Sequence, residues 1–338
     1  MLRAPGGRLV LIALLFFAAS ALPLAQNPQP AAGAGPQASK GGPSFTIGAL
    51  RRDGVIIPFA SHGNGRWTNA WPAPGQRPEI PITLAASPKS WWLNGRPAGY
   101  WTVWPLRGDS RVVFVKNIVS VTAQCQPQLG LQTDYTSIEA PGPARMQPHP
   151  KDGLATTGDV VVEPLELLNA QAADWVKVAA EVAAKVTDAE GKLLADRRGT
   201  LPVTDAERRK KPFTLEVLFR TAGPRPGTTL LYFEGVKRYG AAAGARRGYQ
   251  TAPEPLTYAV GFVVLDPQAA PRINETVTLS DSRREGLLYT QPLGALRMNG
   301  RLYWAVQRSG WGYERFDVLE MAEPDIKAAI ETAGGTCR

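Results

Sequence analysis

The chain has 338 residues, 44% of them hydrophobic and 20% charged, a globular balance that excludes disorder as its main state. Its formal net charge is +9, but the basic residues are scattered as doublets (Arg51-Arg52, Arg197-Arg198, Lys237-Arg238, Arg246-Arg247, Arg283-Arg284) with one run, Arg208-Arg209-Lys210-Lys211. Without a nucleic-acid-binding motif this excludes DNA or RNA as partner, and leaves a solvated surface or attraction to anionic envelope polymers.

The first residues carry Arg3 and Arg8 and no acid, and an unbroken apolar run follows over 9–19. Small residues at Ala19, Ser20 and Ala21, and again at Ala25, complete the three parts of a secretory signal peptide. The apolar stretch is shorter than the roughly 20 residues that span a bilayer, so residues 1–25 read as a signal cut after Ala21 or Ala25, with no membrane span after cleavage. The expected address is periplasmic or extracellular. In such an oxidising compartment Cys125 and Cys337, the two cysteines of the chain, are expected to pair.

Residues 26–44 hold Gln, Asn, Pro, Ala, Gly, Ser and one Lys without apolar periodicity, and read as a disordered linker. From Phe45 two short apolar runs flank Arg52-Asp53-Gly54, a hairpin signal. Further strands are expected over 79–84, 99–104, 111–115 and 118–124, making 45–140 a β-rich domain. The Pro/Gly-rich passage 141–158 reads as a long loop. Helical spacing follows over 165–185, limited by Gly191, and a short capped helix over 204–211 that stops at Pro212. Strands return over 213–220, 228–236, 257–265 and 274–279, with Leu287-Leu288 as a further continuation. A hairpin pairs 301–307 with 313–321, and a last helix is expected over 324–332. Residues 159–338 thus form an α+β part packing back on the first. The fold class is mainly β with a helical insertion, built from short antiparallel strands and hairpins.

One pattern recurs. Gly48-Ala49-Leu50-Arg51-Arg52-Asp53-Gly54 is echoed by Gly294-Ala295-Leu296-Arg297-Met298-Asn299-Gly300, and each copy leads into a strand and then a Gly-rich turn. The unit of strand, Asp/Asn-Gly turn and strand suggests a repeated sheet element.

Chemistry is harder to place. Trp67, Trp71, Trp91, Trp92, Trp101 and Trp104 crowd one segment, and aromatic faces either stack on sugar rings or fill a core. In Trp101-Thr102-Val103-Trp104 the two rings fall on opposite faces of a strand, so one is the more exposed. His62 and His149 are isolated, which supplies neither a triad nor a metal set, and there is no nucleophile elbow or phosphate cradle. No cofactor is expected. Asp53, Asp109, Asp134, Glu139, Glu163 and Glu234 are carboxylates in or near strands and loops, among which a glycosidase pair could hide. Two functions follow: an exported, non-catalytic binding or envelope-interaction protein whose partner is a glycan or another envelope protein, or a secreted glycan-acting hydrolase.

Overall fold

A hairpin opens the structure: Phe45–Arg51 (β1) turns through Asp53-Gly54 into Val55–Gly63 (β2). Gly54 adopts φ +80°, the left-handed conformation that favours glycine, and Arg51 clasps Asp53 through two bonds of 2.6 and 3.0 Å. The computed structural model describes residues 43–76, 82–142, 146–196, 203–240, 255–280, 287–323 and 325–337, which belong to one compact unit. The expected signal and all of the linker but Pro43 and Ser44 lie outside the described residues, as does half of the strand expected over 79–84. Of that strand, Ile82 makes an isolated bridge to Ile118 and Leu84–Ala86 form a 3-10 turn.

After Arg66–Thr68 (β3) come Tyr100–Pro105 (β4), Arg111–Ala123 (β5), Gln126–Thr133 (β6) and Lys151–Thr156 (β7). Their order is β1-β7-β4-β5-β6-β2, and β1 also pairs with β2, closing a six-stranded antiparallel barrel. Closure removes the free edges that an open sheet would present. Two expectations are corrected here. The strands at 111–115 and 118–124 are one strand with a bulge between Val115 and Asn117. The loop expected over 141–158 holds β7, which pairs with both β1 and β4, so the barrel runs on through Thr156. Trp101, Val103, Leu50, Ile56, Leu129 and Leu131 fill its interior, joined by Trp71 and Trp92.

The chain then forms Val161–Glu163 (β8), Glu166–Leu167 (β9), Ala173–Asp196 (α1), Asp205–Lys210 (α2), Thr214–Ala222 (β10), Thr229–Arg238 (β11), Leu256–Leu265 (β12) and Arg272–Ser280 (β13). Tyr289–Met298 (β14), Arg301–Gly310 (β15), Tyr313–Met321 (β16) and Ile326–Thr336 (β17) complete it. They build a middle sheet, β17-β16-β15-β14-β8, and an outer sheet, β13-β12-β11-β10-β9. The layers stack as barrel, middle sheet, outer sheet and α1. Leu296, Tyr303, Ala305, Phe316 and Val318 pack on the barrel strands, while Ala295, Trp304, Val306 and Leu319 pack on the outer sheet. Val178, Val182 and Val186, one per helical turn, seat α1 on the far face of the outer sheet.

α1 begins at Ala173, later than the expected 165, because β9 takes up Glu166 and Leu167; it also runs through Gly191. α2 carries the full capping box, Thr204 with Glu207. Glu190 on α1 is buried and receives Lys237 at 2.5 Å, Arg208 at 3.3 Å and the Thr257 and Tyr239 hydroxyls at 2.5 Å, tying both helices to the outer sheet. Burial works against its charge, but these bonds outweigh it and hold the carboxyl below its ordinary range. The helix expected over 324–332 is instead strand β17, because pairing along β16 overrides the helix propensity of its alanines. Leu287-Leu288 precede β14 and are not strand.

The two echoed segments are both bulged hairpins, the second turning through Asn299-Gly300 at φ +50° and +77°. They share an orientation along the stack: Leu50 and Leu296 point toward the barrel interior side, Ala49 and Ala295 away from it. At Gly294 the middle sheet lies close against the barrel, since a Cβ there would lie 2.9 Å from Leu154 Cβ, and Leu154 is fully buried. Gly294→Val should therefore force the two layers apart and lower stability by about 1–3 kcal/mol. Urea unfolding checks this, and a midpoint equal to wild type would show that the contact is slack.

Candidate ligand groove

Strand alternation decides which face of the barrel wall each tryptophan of β4 takes. Trp101 points into the barrel and is fully buried, while Trp104, three residues on, points out and is half-buried. Trp71 and Trp92 are barrel core, their indole N–H groups donating to the Leu129 carbonyl and Ser87 Oγ at 3.0 and 2.9 Å. Trp91 stands edge-on to Trp71, and Trp67 is packed among Phe45, His62 and Tyr303.

Trp104 lines a cleft of about 320 Å³ where the barrel meets the middle sheet. One wall is the end of β4 and the turn after it, 104–110, including exposed Asp109 and Ser110. The other is 162–165, where the chain leaves β8 on the middle sheet and crosses through Pro164 to β9 on the outer sheet. Leu293 and Gly294 form the floor. The Trp104 indole N–H donates to Thr156 Oγ1 at 3.1 Å, which fixes the ring. Glu163 pairs across the ladder with Ala295 and accepts from Arg297 Nε at 2.5 Å, and Arg297 also donates to the Gly223 carbonyl at 3.0 Å. The cleft thus offers a fixed aromatic face, aliphatic walls, one free carboxylate and one already engaged.

Asp109 and Glu163, two of the six candidate carboxylates, are the ones that line this cleft. Asp53 is held by Arg51 and faces His149 Nε2 at 3.6 Å, and exposed Asp134 caps the Phe114 amide at 2.8 Å. Glu139 pairs with Arg107 at 3.0 Å and with Arg52. Both histidines are buried: His62 Nδ1 lies 2.9 Å from the Pro43 carbonyl, and burial followed by the Arg51 charge lowers the pKa of His149. Cys125 and Cys337 are bonded, which fastens β17 to the turn between β5 and β6.

Sequence reasoning could not rank Glu234. It lies between the middle and outer sheets, with the Tyr232 hydroxyl at 3.5 Å and Tyr258 as a further hydrogen-bond partner. Burial, aided by the Glu216 charge and partly offset by the two tyrosines, pushes its pKa up to about 7. It lines neither this cleft nor a second cavity of about 240 Å³ floored by Leu230, Phe262 and Met321. That second cavity is largely apolar, and the Arg272 that lines it is paired with Glu323. Among the described residues no three His, Cys, Asp or Glu side chains gather as a metal set, and no helix is long and apolar enough to cross a membrane.

No protein-family model, curated protein or solved structure matches the chain.

A carboxyl raised in the folded state binds its proton more tightly there than in the unfolded chain, so its stabilisation is complete below the ordinary carboxyl range and is lost as pH rises through about 7. Glu234→Gln keeps the neutral form. Its stability relative to wild type should rise between pH 5 and pH 8, by up to the order of 3 kcal/mol. Parallel denaturant titrations at the two pH values read this directly; a constant difference would mean that Glu234 ionises freely.

Proposed function

We propose that this chain is an exported, non-catalytic binding protein of the cell envelope whose ligand is a glycan, held in the Trp104 cleft. The observation that carries the reading is the Trp104 ring itself. Of the six clustered tryptophans it is the one that lines this cleft, with its N–H already satisfied and the cleft beside it. A sugar offers an apolar C–H face to such a ring and hydroxyls to the carboxylates and Ser110 around it. The basic and apolar start of the sequence, with small residues at Ala19, Ala21 and Ala25, supports passage through a translocon. The disulfide is consistent with that route.

The hydrolase reading is favoured by one observation, that both Asp109 and Glu163 line the cleft. Two others weigh against it. Glu163 is already engaged by Arg297, and the carboxyl with a pKa of about 7, suited to a general acid, is Glu234, which lies outside the cleft.

Titration with neutral oligosaccharides, read by tryptophan fluorescence and calorimetry, should give saturable binding. Trp104→Ala should weaken it at least about ten-fold, while Trp104→Phe retains a ring and most of the affinity. Circular dichroism establishes that both variants fold. Release of reducing ends by wild type, abolished in Asp109→Asn or Glu163→Gln, would replace binding by hydrolysis. Intact-mass measurement on the exported protein should find a chain starting after Ala21 or Ala25 with no alkylatable thiol; a retained Met1 would end the export reading.

A further inference from the structure

Leu106 lines the Trp104 cleft and also a further cavity of about 200 Å³. The same three chain segments build the two. The β4 exit gives Trp104 to the first and Arg107 to the second, the crossing between the sheets gives Leu165 and then Leu167, and β14 gives Leu293 and then Gln291. Three walls that advance together describe one groove. Its length along 162–167 is roughly 15 Å at the rise of an extended chain, more than a single sugar ring occupies.

The second half differs in chemistry from the first. Arg107 donates to Glu139 at 3.0 Å, Arg52 bridges Glu139 and Asp152, and the Tyr135 hydroxyl donates to Asp152 at 2.8 Å. Leu106 itself is fixed by its amide, which donates to the Asp152 carbonyl at 2.6 Å. Lys151, although at the edge of this cavity, is turned inward onto Glu314 at 2.8 Å and is not available to a ligand. The polar groups lining this cavity are thus exposed Arg107, half-buried Arg52 and Glu139, and buried Asp152, mutually paired and jointly neutral. Such a set donates to and accepts from hydroxyls without selecting a charge. In the Trp104 half, Arg297 neutralises Glu163 and leaves only Asp109 unpaired, so nowhere does the groove carry the positive excess that a polyanion requires.

We infer that the ligand is an uncharged oligosaccharide chain of several units, with one ring on Trp104 and a further unit hydrogen-bonded by Arg107, Glu139, Arg52 and Asp152 at the other end. This rests on the glycan-binding reading and adds to it a second subsite and a polymeric ligand.

The test is affinity as a function of chain length, by calorimetry on the mature protein, using glucose and N-acetylglucosamine oligomers from monosaccharide to hexasaccharide and galacturonate oligomers as the charged series. Affinity should climb about ten-fold or more between disaccharide and the longer neutral chains, because charged-group hydrogen bonds are added. Arg107→Ala removes a side chain that is 64% exposed and should not disturb folding. It should cut the ratio of hexasaccharide to disaccharide affinity to below about three-fold, and Arg107→Lys, which keeps the charge but not the fork, should restore only part of it. A flat length dependence with Trp104-dependent binding overturns the second subsite and leaves the glycan reading standing. Preference for the galacturonate series overturns the uncharged class. Absence of binding to every saccharide overturns the glycan reading itself.

Discussion

The molecule depends on a sheet that is buried on both faces. The middle sheet has the barrel on one side and the outer sheet on the other, so the central stretches of β14 and β15, Leu293–Leu296 and Leu302–Val306, are apolar at consecutive positions instead of alternating. Fully burying a side chain of the size of Leu or Phe is worth about 1.5–3 kcal/mol, and this sheet collects that term twice over. It also accepts a constraint: a polar group brought inside costs stability unless it finds a partner, and Trp304 Nε1 and Gln307 Oε1 on β15 find none. Glu314 meets Lys151 from the barrel, and Asp317, fully buried, has Arg308 and Arg315 at 2.8 and 3.0 Å. The Lys151–Glu314 pair joins barrel to sheet where solvent is excluded, so either partner alone would be an uncompensated buried charge.

The same constraint makes the groove. Strand β8 finishes the middle sheet beside β14, and β9 begins the outer sheet beside β10, only two residues later. Pro164 and Leu165 must cross between layers in that space, and their path leaves a gap against the end of β4. Gly294 lets the middle sheet approach Leu154, which brings the floor up to the level of Trp104. The cleft is therefore a consequence of how three layers meet, and its walls belong to elements held by sheet pairing. That is the kind of rigid support a preformed binding site needs.

What could be read from the sequence follows the same physics. Hairpins with Asp-Gly or Asn-Gly turns, the capped helix α2 and the cysteine pair carry local signals that tertiary structure does not contradict. The echo of Gly48 in Gly294 was legible as a pattern, but only the packing shows that both are hairpins at bulges facing the same way along the stack. Strands β6 and β7 were not legible, because Pro127 and Gly130 look like turn residues and Gly153 marks a close approach, 2.3 Å from a Cβ to the Trp104 carbonyl, that no local rule anticipates. β17 misled for the opposite reason: alanines at 328, 329 and 333 favour a helix in isolation, and only the neighbouring strand decides otherwise. Among site residues, the alternation in Trp101-Thr102-Val103-Trp104 correctly separated an inner from an outer ring. Nothing in the sequence could place Asp109 and Glu163 in one cleft, since that depends on a crossing between sheets.

Strand β17 is an edge of the middle sheet, and besides its ladder with β16 it is fastened to the barrel by Thr332 donating to the Phe59 carbonyl, by the Thr336 amide on Gln126 and by Cys337 on Cys125. The covalent link spans 212 residues, and in the chain-entropy view it removes on the order of 5 kcal/mol from the unfolded state. That is comparable with the whole net stability of many domains. A molecule whose barrel and middle sheet are clamped in this way is best suited to a compartment where the bond persists, and the clamp also steadies β16, which presents Glu314 to Lys151 beside the charged end of the groove. Loosening the clamp would act first on β17, then on the buried Lys151–Glu314 pair behind the groove.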